Sequence, residues 1–499
     1  MLSDHNTKEI DLVPQAPILR MRNARVWLER LWSSIAERGR GFAAIPAQSI
    51  APLERARMLA TALLSERGEA SGAAVARELL TVVSTLTPEQ WGEFYMFLAE
   101  GFQPDQARLT EAAKAYIAAP SPETAAALAA CAEPPRQELL RRMNMAPGGT
   151  MALVAMRKTL PAHMAERPVL KLLDGDLKHL FSSWFNRGFL EIRRIDWQTP
   201  AAILEKLIAY EAVHEIQGWD DLRRRLAADR RCFAFFHPAL PGEPLIFVEV
   251  ALVRGLSGSV RALLERDNDE AAQLRRANEA DTAIFYSISN CQDGLRGISF
   301  GNFLIKQVVE ELRAELPGVT QFSTLSPVPG FRRWLEGKEL RSFPLSEAEA
   351  SALFTATGIP YEPENVLATL RSVLSNESWT KMAATAQAIR PILLRLCAEY
   401  LCEGGKGKKR ADPVARFHLG NGAKLERINW MGNPGKRGLQ ESYGIMVNYL
   451  YDPATIEANH EAFVKDGTVI RSSAIEALLA PEPVESPKRS LITRRGARK

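Results

Sequence analysis

Cysteine is scarce. Five occur in 499 residues, at Cys131, Cys232, Cys291, Cys397 and Cys402, an odd number with no CxxC pair. That argues against a disulfide framework and a structural zinc site, and for a reducing compartment. Long apolar runs are missing too. No stretch approaches the roughly eighteen apolar residues of a membrane span, so no membrane partner is expected. Neither sign of charge dominates. The formal net charge is +4, far from a nucleic-acid-binding extreme, and no nucleic-acid partner is expected. Neither a cofactor-lysine nor a metal-ligand pattern stands out, so no cofactor and no metal are expected. The opening MLSDHNTKEIDLVPQ lacks the basic-then-apolar order of a secretory signal. The closing Gly496-Ala497-Arg498-Lys499 is not a peroxisomal address. The cytoplasm is therefore the expected compartment. Residues 20–40 are Arg-rich and amphipathic, which suits a transit peptide but suits an ordinary surface helix better.

What is present is the composition of a globular protein, with 46% hydrophobic and 24% charged residues. The length suggests two or three domains. From about residue 15 to 187 the pattern is helical. Leu53, Ala56, Leu59, Ala60 and Leu63 recur at helical spacing. Pro88-Glu89-Gln90-Trp91 opens another helix with proline at its first position. Ser121-Pro122-Glu123-Thr124 reads as a serine N-cap, a proline and an Ala-rich helix to Cys131. Six or more such helices should pack as a bundle.

After residue 188 the texture changes. Arg231–Phe236 and Leu245–Val253 are β-rich runs around a Pro/Gly turn, the signature of a hairpin. A charged insert follows over 259–279. A strand is expected at Thr282–Ser289, a helix over about 301–315 and a strand at Gln321–Leu325. Helix should then run to about residue 402, broken at Pro344, Pro360 and Pro391. Strands are expected again at Ala415–His418, Lys424–Trp430 and Gly444–Tyr449. The fold class is α+β: an all-α bundle, then a mixed α/β domain.

Three segments could carry chemistry. The first is Gln292-Asp293-Gly294-Leu295-Arg296-Gly297-Ile298-Ser299-Phe300-Gly301-Asn302, followed by Phe303-Leu304-Ile305-Lys306. Glycines at a strand-to-helix junction let the backbone approach a ligand, and the helix start offers unpaired N–H donors to a phosphate. The spacing is neither GxxxxGK[ST] nor GxGxxG, so a P-loop or Rossmann site does not fit. A plain loop with two useful glycines explains the segment equally well. The second is Ser326, at a strand end before Pro327-Val328-Pro329-Gly330. Serine before proline is an ordinary turn arrangement, and no GxSxG elbow surrounds it. The third is His418, between Phe417 and Leu419 and next to an Asn421-Gly422 turn. A histidine in apolar company is commonly a core residue, yet a desolvated imidazole also suits proton transfer near neutral pH.

Together these segments resemble the malonyl-CoA decarboxylases. The resemblance runs from about Phe189 to Tyr451. It includes Gly188-Phe189-Leu190, Glu211-Ala212-Val213-His214, Pro241-Gly242-Glu243-Pro244-Leu245, Ala283-Ile284-Phe285-Tyr286-Ser287-Ile288-Ser289, Phe303-Leu304-Ile305-Lys306, Leu325-Ser326-Pro327 with Pro329-Gly330-Phe331, and Phe417-His418-Leu419 with Asn421-Gly422-Ala423. It implies a helical oligomerisation domain over residues 1–187 and an acetyltransferase-type (GNAT-like) catalytic domain over 188–458. A C-terminal helix and a disordered basic tail would occupy 459–499. It implies malonyl-CoA as substrate, a homodimer or homotetramer, and a role in fatty-acid or malonate metabolism. Ser326 and His418 fall on the family's catalytic serine and histidine. Arg296, Gly297, Ile298, Ser299, Phe300, Gly301, Asn302 and Ile305 fall on its CoA-binding segment. The basic run Lys406-Gly407-Lys408-Lys409-Arg410 is either a solvated loop or a contact to the CoA 3′-phosphate. Two other readings remain on the same fold: an acyltransferase that needs an acceptor, and a protein that binds acyl-CoA without consuming it.

Overall fold

The computed structural model describes residues 34, 48–65, 68–298, 304–337, 345–358, 366–403 and 412–480. Nearly all of the amphipathic stretch 20–40, residues 299–302, Pro344, Pro360, the basic loop 406–410 and the basic tail lie outside the described residues. The chain falls into two compact units. One combines Met1–Glu191 with Phe235–Leu245 and Asn290–Gly301. The other combines Ile192–Ala234, Ile246–Ser289 and Asn302–Lys499.

The first unit is helical. Helices run over Pro52–Ser65, Glu69–Val83, Pro88–Gly101, Gln106–Ala118, Pro122–Ala132, Pro135–Met145, Gly149–Thr159, Pro161–Met164 and Leu170–Trp184. No strand precedes Glu191 among the described residues. The starts follow local chemistry. The Thr87 hydroxyl accepts the Gln90 N–H and the Gln90 side chain accepts the Thr87 N–H, with Pro88 at the first helical position. Ser121 and Thr124 form the same reciprocal box ahead of Pro122–Ala132, as the serine–proline signal predicts. The core comes from single faces. Leu170, Leu173, Leu177, Leu180 and Phe181 recur every three or four residues and are buried. Each buried leucine contributes on the order of 1.5–3 kcal/mol, well above the tenths that separate residues by helix propensity.

The second part of the chain is built on an eight-stranded sheet. Its strands are β1 (Glu191–Ile195), β2 (Arg230–Phe236), β3 (Pro244–Val253), β4 (Thr282–Asn290), β5 (Gln321–Thr324), β6 (Ser326–Pro327), β7 (Lys424–Asn429) and β8 (Met446–Leu450). Their order is β1-β2-β3-β4-β5-β8-β6, and β7 pairs with β8. β3 is buried from Pro244 to Leu252, as a strand covered on both faces must be. β4 and β5 are parallel, in register from Thr282↔Gln321 to Phe285↔Thr324. A parallel pair needs a crossover, and the Leu304–Glu315 helix supplies it. Leu304, Ile305, Val308, Val309 and Leu312 form its buried stripe. At Leu325 the chain still bonds β4, through Leu325 N–H to Phe285 O at 2.9 Å. β5 already pairs with β8 at Ser323↔Leu450, and from Ser326↔Val447 onward the chain keeps β8 alone. Ser326 therefore sits where the chain leaves β4. Among the described residues no helix is long and apolar enough to cross a membrane.

Two local expectations are corrected. Ala415–His418 is not a strand but part of the helix Pro413–Gly420. The Asp412 carboxylate accepts the N–H groups of Val414 and Ala415, both at 2.9 Å, and Pro413 occupies the first helical position. That cap outweighs the β-like look of Phe417-His418-Leu419. Pro391 does not break its helix; it lies inside Ala383–Cys402. An interior proline costs about 3 kcal/mol. Ile389, Ile392, Leu393, Leu396 and Leu401 are buried along this helix, and together they outweigh that cost.

Candidate active site

Ser326 is held at the head of β6 with 6% exposure. Its Oγ lies 2.9 Å from Thr324 Oγ1 and 3.0 Å from His418 Nε2. Thr324 is two residues earlier, so strand alternation puts both hydroxyls on one face. Thr324 Oγ1 also accepts the Tyr449 N–H at 3.2 Å. Asn448 donates to Thr324 O at 2.7 Å and to Ser257 O at 3.0 Å. Serine and threonine are thus locked to the β8 backbone rather than free to rotate with a loop.

His418 arrives from 92 residues away, near the end of the Pro413–Gly420 helix. Its ring stacks on Tyr449, with centroids 4.7 Å apart and planes tilted by 25°. Its Nδ1 lies 2.8 Å from the Tyr451 hydroxyl. Burial alone pushes its pKa down to about 3. The imidazole is therefore neutral and carries one N–H. The serine hydroxyl is directed at Thr324 Oγ1. Nε2–H then donates to Ser326 Oγ, and the Tyr451 O–H donates to Nδ1. The tautomer follows from this network. Burial also holds the Tyr451 and Tyr449 hydroxyls well above the usual tyrosine range, so both stay protonated.

This direction of bonding matters chemically. A nucleophilic serine gives its proton to an imidazole that a carboxylate orients. Here the imidazole offers a proton to the serine, and a tyrosine faces its other nitrogen. The arrangement suits proton delivery in a dry site rather than serine attack.

Asp412 ties the two halves of the pair together. Besides capping the histidine helix through one oxygen, it accepts the Gly330 N–H at 3.2 Å and the Tyr400 O–H at 3.3 Å through the other. One buried carboxylate thus joins the turn after Ser326 to the start of the helix that carries His418. Burial raises the Asp412 pKa against the lowering effect of these donors. A Cβ at Gly330 would stand 2.1 Å from the Tyr400 hydroxyl, so a larger residue would have to displace that hydroxyl from this junction. Gly422, φ +83°, is similarly confined, with Ile456 O 2.0 Å from where a Cβ would be.

Of the expected site residues, the structure brings Ser326 and His418 into contact. Arg296, Gly297 and Ile298 follow a short 3-10 turn, Asp293–Leu295, at the end of β4, in the first unit. Arg296 and Gly297 are exposed, Gly297 has φ +81°, and Ile298 is buried. Ile305 lies in the second unit, in the first turn of the Leu304–Glu315 helix and 1% exposed. Ser299, Phe300, Gly301 and Asn302 lie outside the described residues. Sequence reasoning missed Thr324, Tyr451 and Asp412. Thr324 had a signal, being two residues from Ser326 on a strand. Asp412 had one too, the Asp-Pro pair of a helix start. Nothing local marks Tyr451.

Known proteins match both parts of the chain. The model of the malonyl-CoA decarboxylase C-terminal domain matches residues 188–489, and that of the N-terminal domain matches residues 102–185. The goose (Anser anser anser) protein named mitochondrial malonyl-CoA decarboxylase is 41% identical over 340 residues, 66% of this chain and 66% of that protein. The rat (Rattus norvegicus) protein of the same name is 35% identical over 403 residues, 77% of this chain and 80% of that one. The crystal structure of malonyl-CoA decarboxylase from Rhodopseudomonas palustris superposes with a TM-score of 0.74 at 49% identity, covering 85% of this chain and 99% of that one. With both domain models matched in order along one chain, this protein belongs to the malonyl-CoA decarboxylase family.

Proposed function

We propose that this carboxy-lyase converts malonyl-CoA to acetyl-CoA and CO2, with His418 as proton donor and Ser326 as its hydrogen-bonding partner at the substrate. Malonyl-CoA carries a carboxylate one carbon from a thioester carbonyl. Its C–C bond breaks when that carboxylate stands out of the carbonyl plane. The electron pair passes into the thioester, leaving CO2 and an enolate. The enolate carbon takes the Nε2 proton of His418 while the Tyr451 O–H passes its own to Nδ1. Nδ1–H then returns its proton to the Tyr451 oxygen while water reprotonates Nε2, which restores the starting tautomer and consumes one proton per turnover. Ser326 turns its O–H from Thr324 Oγ1 to hold the malonyl carboxylate or the thioester oxygen, and acts formally as proton acceptor between cycles. The dry surroundings of the pair strengthen each of these interactions.

The observation that carries this reading is the 3.0 Å contact between Ser326 Oγ and a neutral, buried His418. Arg296 to Asn302, with Ile305, are assigned to the CoA diphosphate. The exposed Arg296 guanidinium is the natural charge for it. The same proposal includes a helical oligomerisation domain over 1–187, a catalytic domain over 188–458, and a C-terminal segment over 459–499. It also includes a homodimer or homotetramer, a cytoplasmic location and a role in fatty-acid or malonate metabolism.

The test is incubation of purified protein with malonyl-CoA alone, following acetyl-CoA, free CoA and CO2. Equal amounts of acetyl-CoA and CO2 are expected, lost in Ser326→Ala and His418→Ala while both variants still bind substrate. Intact malonyl-CoA would refute the activity. Near-normal turnover in His418→Ala would remove the histidine from the mechanism.

A further inference from the structure

We infer that Arg157, a residue of the helical unit, is a positioning residue for Arg296, the cation assigned to the CoA diphosphate. The inference rests on that proposed assignment of Arg296. Arg157 lies on the Gly149–Thr159 helix and is 6% exposed. Its guanidinium spends every edge on fixed partners. Nε–H donates to Asp174 Oδ1 at 2.8 Å. Nη1 donates to Gly294 O at 2.6 Å, and Nη2 donates to Arg296 O at 2.9 Å. The two carbonyls bracket the turn that ends at Arg296, and all four residues belong to one compact unit.

Three further observations make this a built anchor. Gly294 packs so tightly on the same helix that a Cβ there would stand 2.0 Å from Val154 O. Asp174, the carboxylate that orients Arg157, is itself buried and is held by Lys178 Nζ at 2.6 Å. Those two cations hold its carboxyl below the usual aspartate range despite burial. Beyond the anchor the chain turns through Gly297, and the Arg296 side chain is exposed while its carbonyl is pinned inward. The planar fork of a guanidinium holds two carbonyls and a carboxylate in fixed directions; an ammonium on a flexible stem sets no such geometry. Without it the Arg296 backbone would lose its fixed position, and so would the cation offered to the diphosphate.

Malonyl-pantetheine separates this role from a general structural one, because it keeps the reacting thioester and lacks the diphosphate. Arg157→Lys retains a cation against Asp174, which also keeps Lys178, so the fold should survive. The expected result is a rise of about tenfold in KM for malonyl-CoA, with kcat within about twofold of wild type. The KM for malonyl-pantetheine should not move. Arg157→Gln, with one carbonyl donor left, should shift the same two constants in the same pattern. A fall in kcat with both substrates, or an equal change in both KM values, would overturn the positioning role. If wild type itself shows the same KM for both substrates, the diphosphate assignment fails first and the inference goes with it.

Discussion

Acidification from about pH 7.5 to about pH 5.5 should leave the Ser326–His418 pair in its working protonation state. Burial holds the imidazole pKa at about 3. At pH 5.5 the charged fraction is then on the order of 0.3%, whereas an ordinary histidine titrating near 6.5 would be about 90% charged. If the neutral Nε2–H tautomer is the active one, kcat/KM per folded molecule should stay flat through this window. An unshifted histidine would cost about tenfold by its lower end. The assay is kcat/KM for malonyl-CoA at half-unit steps, each normalised to the folded fraction from circular dichroism. Normalisation is needed because the same shift acts on stability. The folded pKa lies below the unfolded one, so the contribution of His418 is fully present above about pH 6.5. It is lost as pH falls toward 3, at up to about 1.4 kcal/mol per unit. His214, pushed down to about 4 chiefly by burial, acts in the same sense. An acid limb in kcat/KM with an apparent pKa near 6.5, in protein that remains folded, would refute the neutral-imidazole reasoning.

Three further outcomes are expected. Tyr451→Phe leaves Nδ1 buried without its 2.8 Å partner; kcat should fall about ten- to a hundredfold and unfolding free energy by about 1–3 kcal/mol in urea titration, and unchanged kcat would remove the tyrosine from the relay. Asp412→Ala removes the helix cap and orphans Gly330 N–H and the Tyr400 hydroxyl; a loss of about 2–4 kcal/mol is expected, with Asp412→Asn milder, and equal stability of all three proteins would contradict the clamp. Thr324→Val keeps the shape but takes the acceptor from Ser326 O–H and Tyr449 N–H; kcat should drop about tenfold with KM little changed, and the opposite split would show that Thr324 serves binding instead.

Much of the architecture was legible in the sequence because its signals are local. Proline and a capping serine or threonine mark Pro88–Gly101 and Pro122–Ala132 within four residues of each start. The β4–helix–β5 unit follows from two apolar runs flanking an amphipathic stretch. The readings that went astray are those where two local signals compete. At Pro413–Gly420 the Asp-Pro cap beat an apolar triplet, and at Pro391 the buried face of a twenty-residue helix beat a helix breaker.

The strings of residues along the chain determined by themselves that a helical region precedes a mixed sheet, that the chain resembles one family, and that Ser326 and His418 are its chemical candidates. Tertiary structure alone decided what state those two are in. Separations of 33 positions between His418 and Tyr451, and of 92 between Ser326 and His418, carry no local code for contact. Charge and tautomer depend on the sum of burial and partners gathered from distant strands, and that sum exists only once the chain has folded.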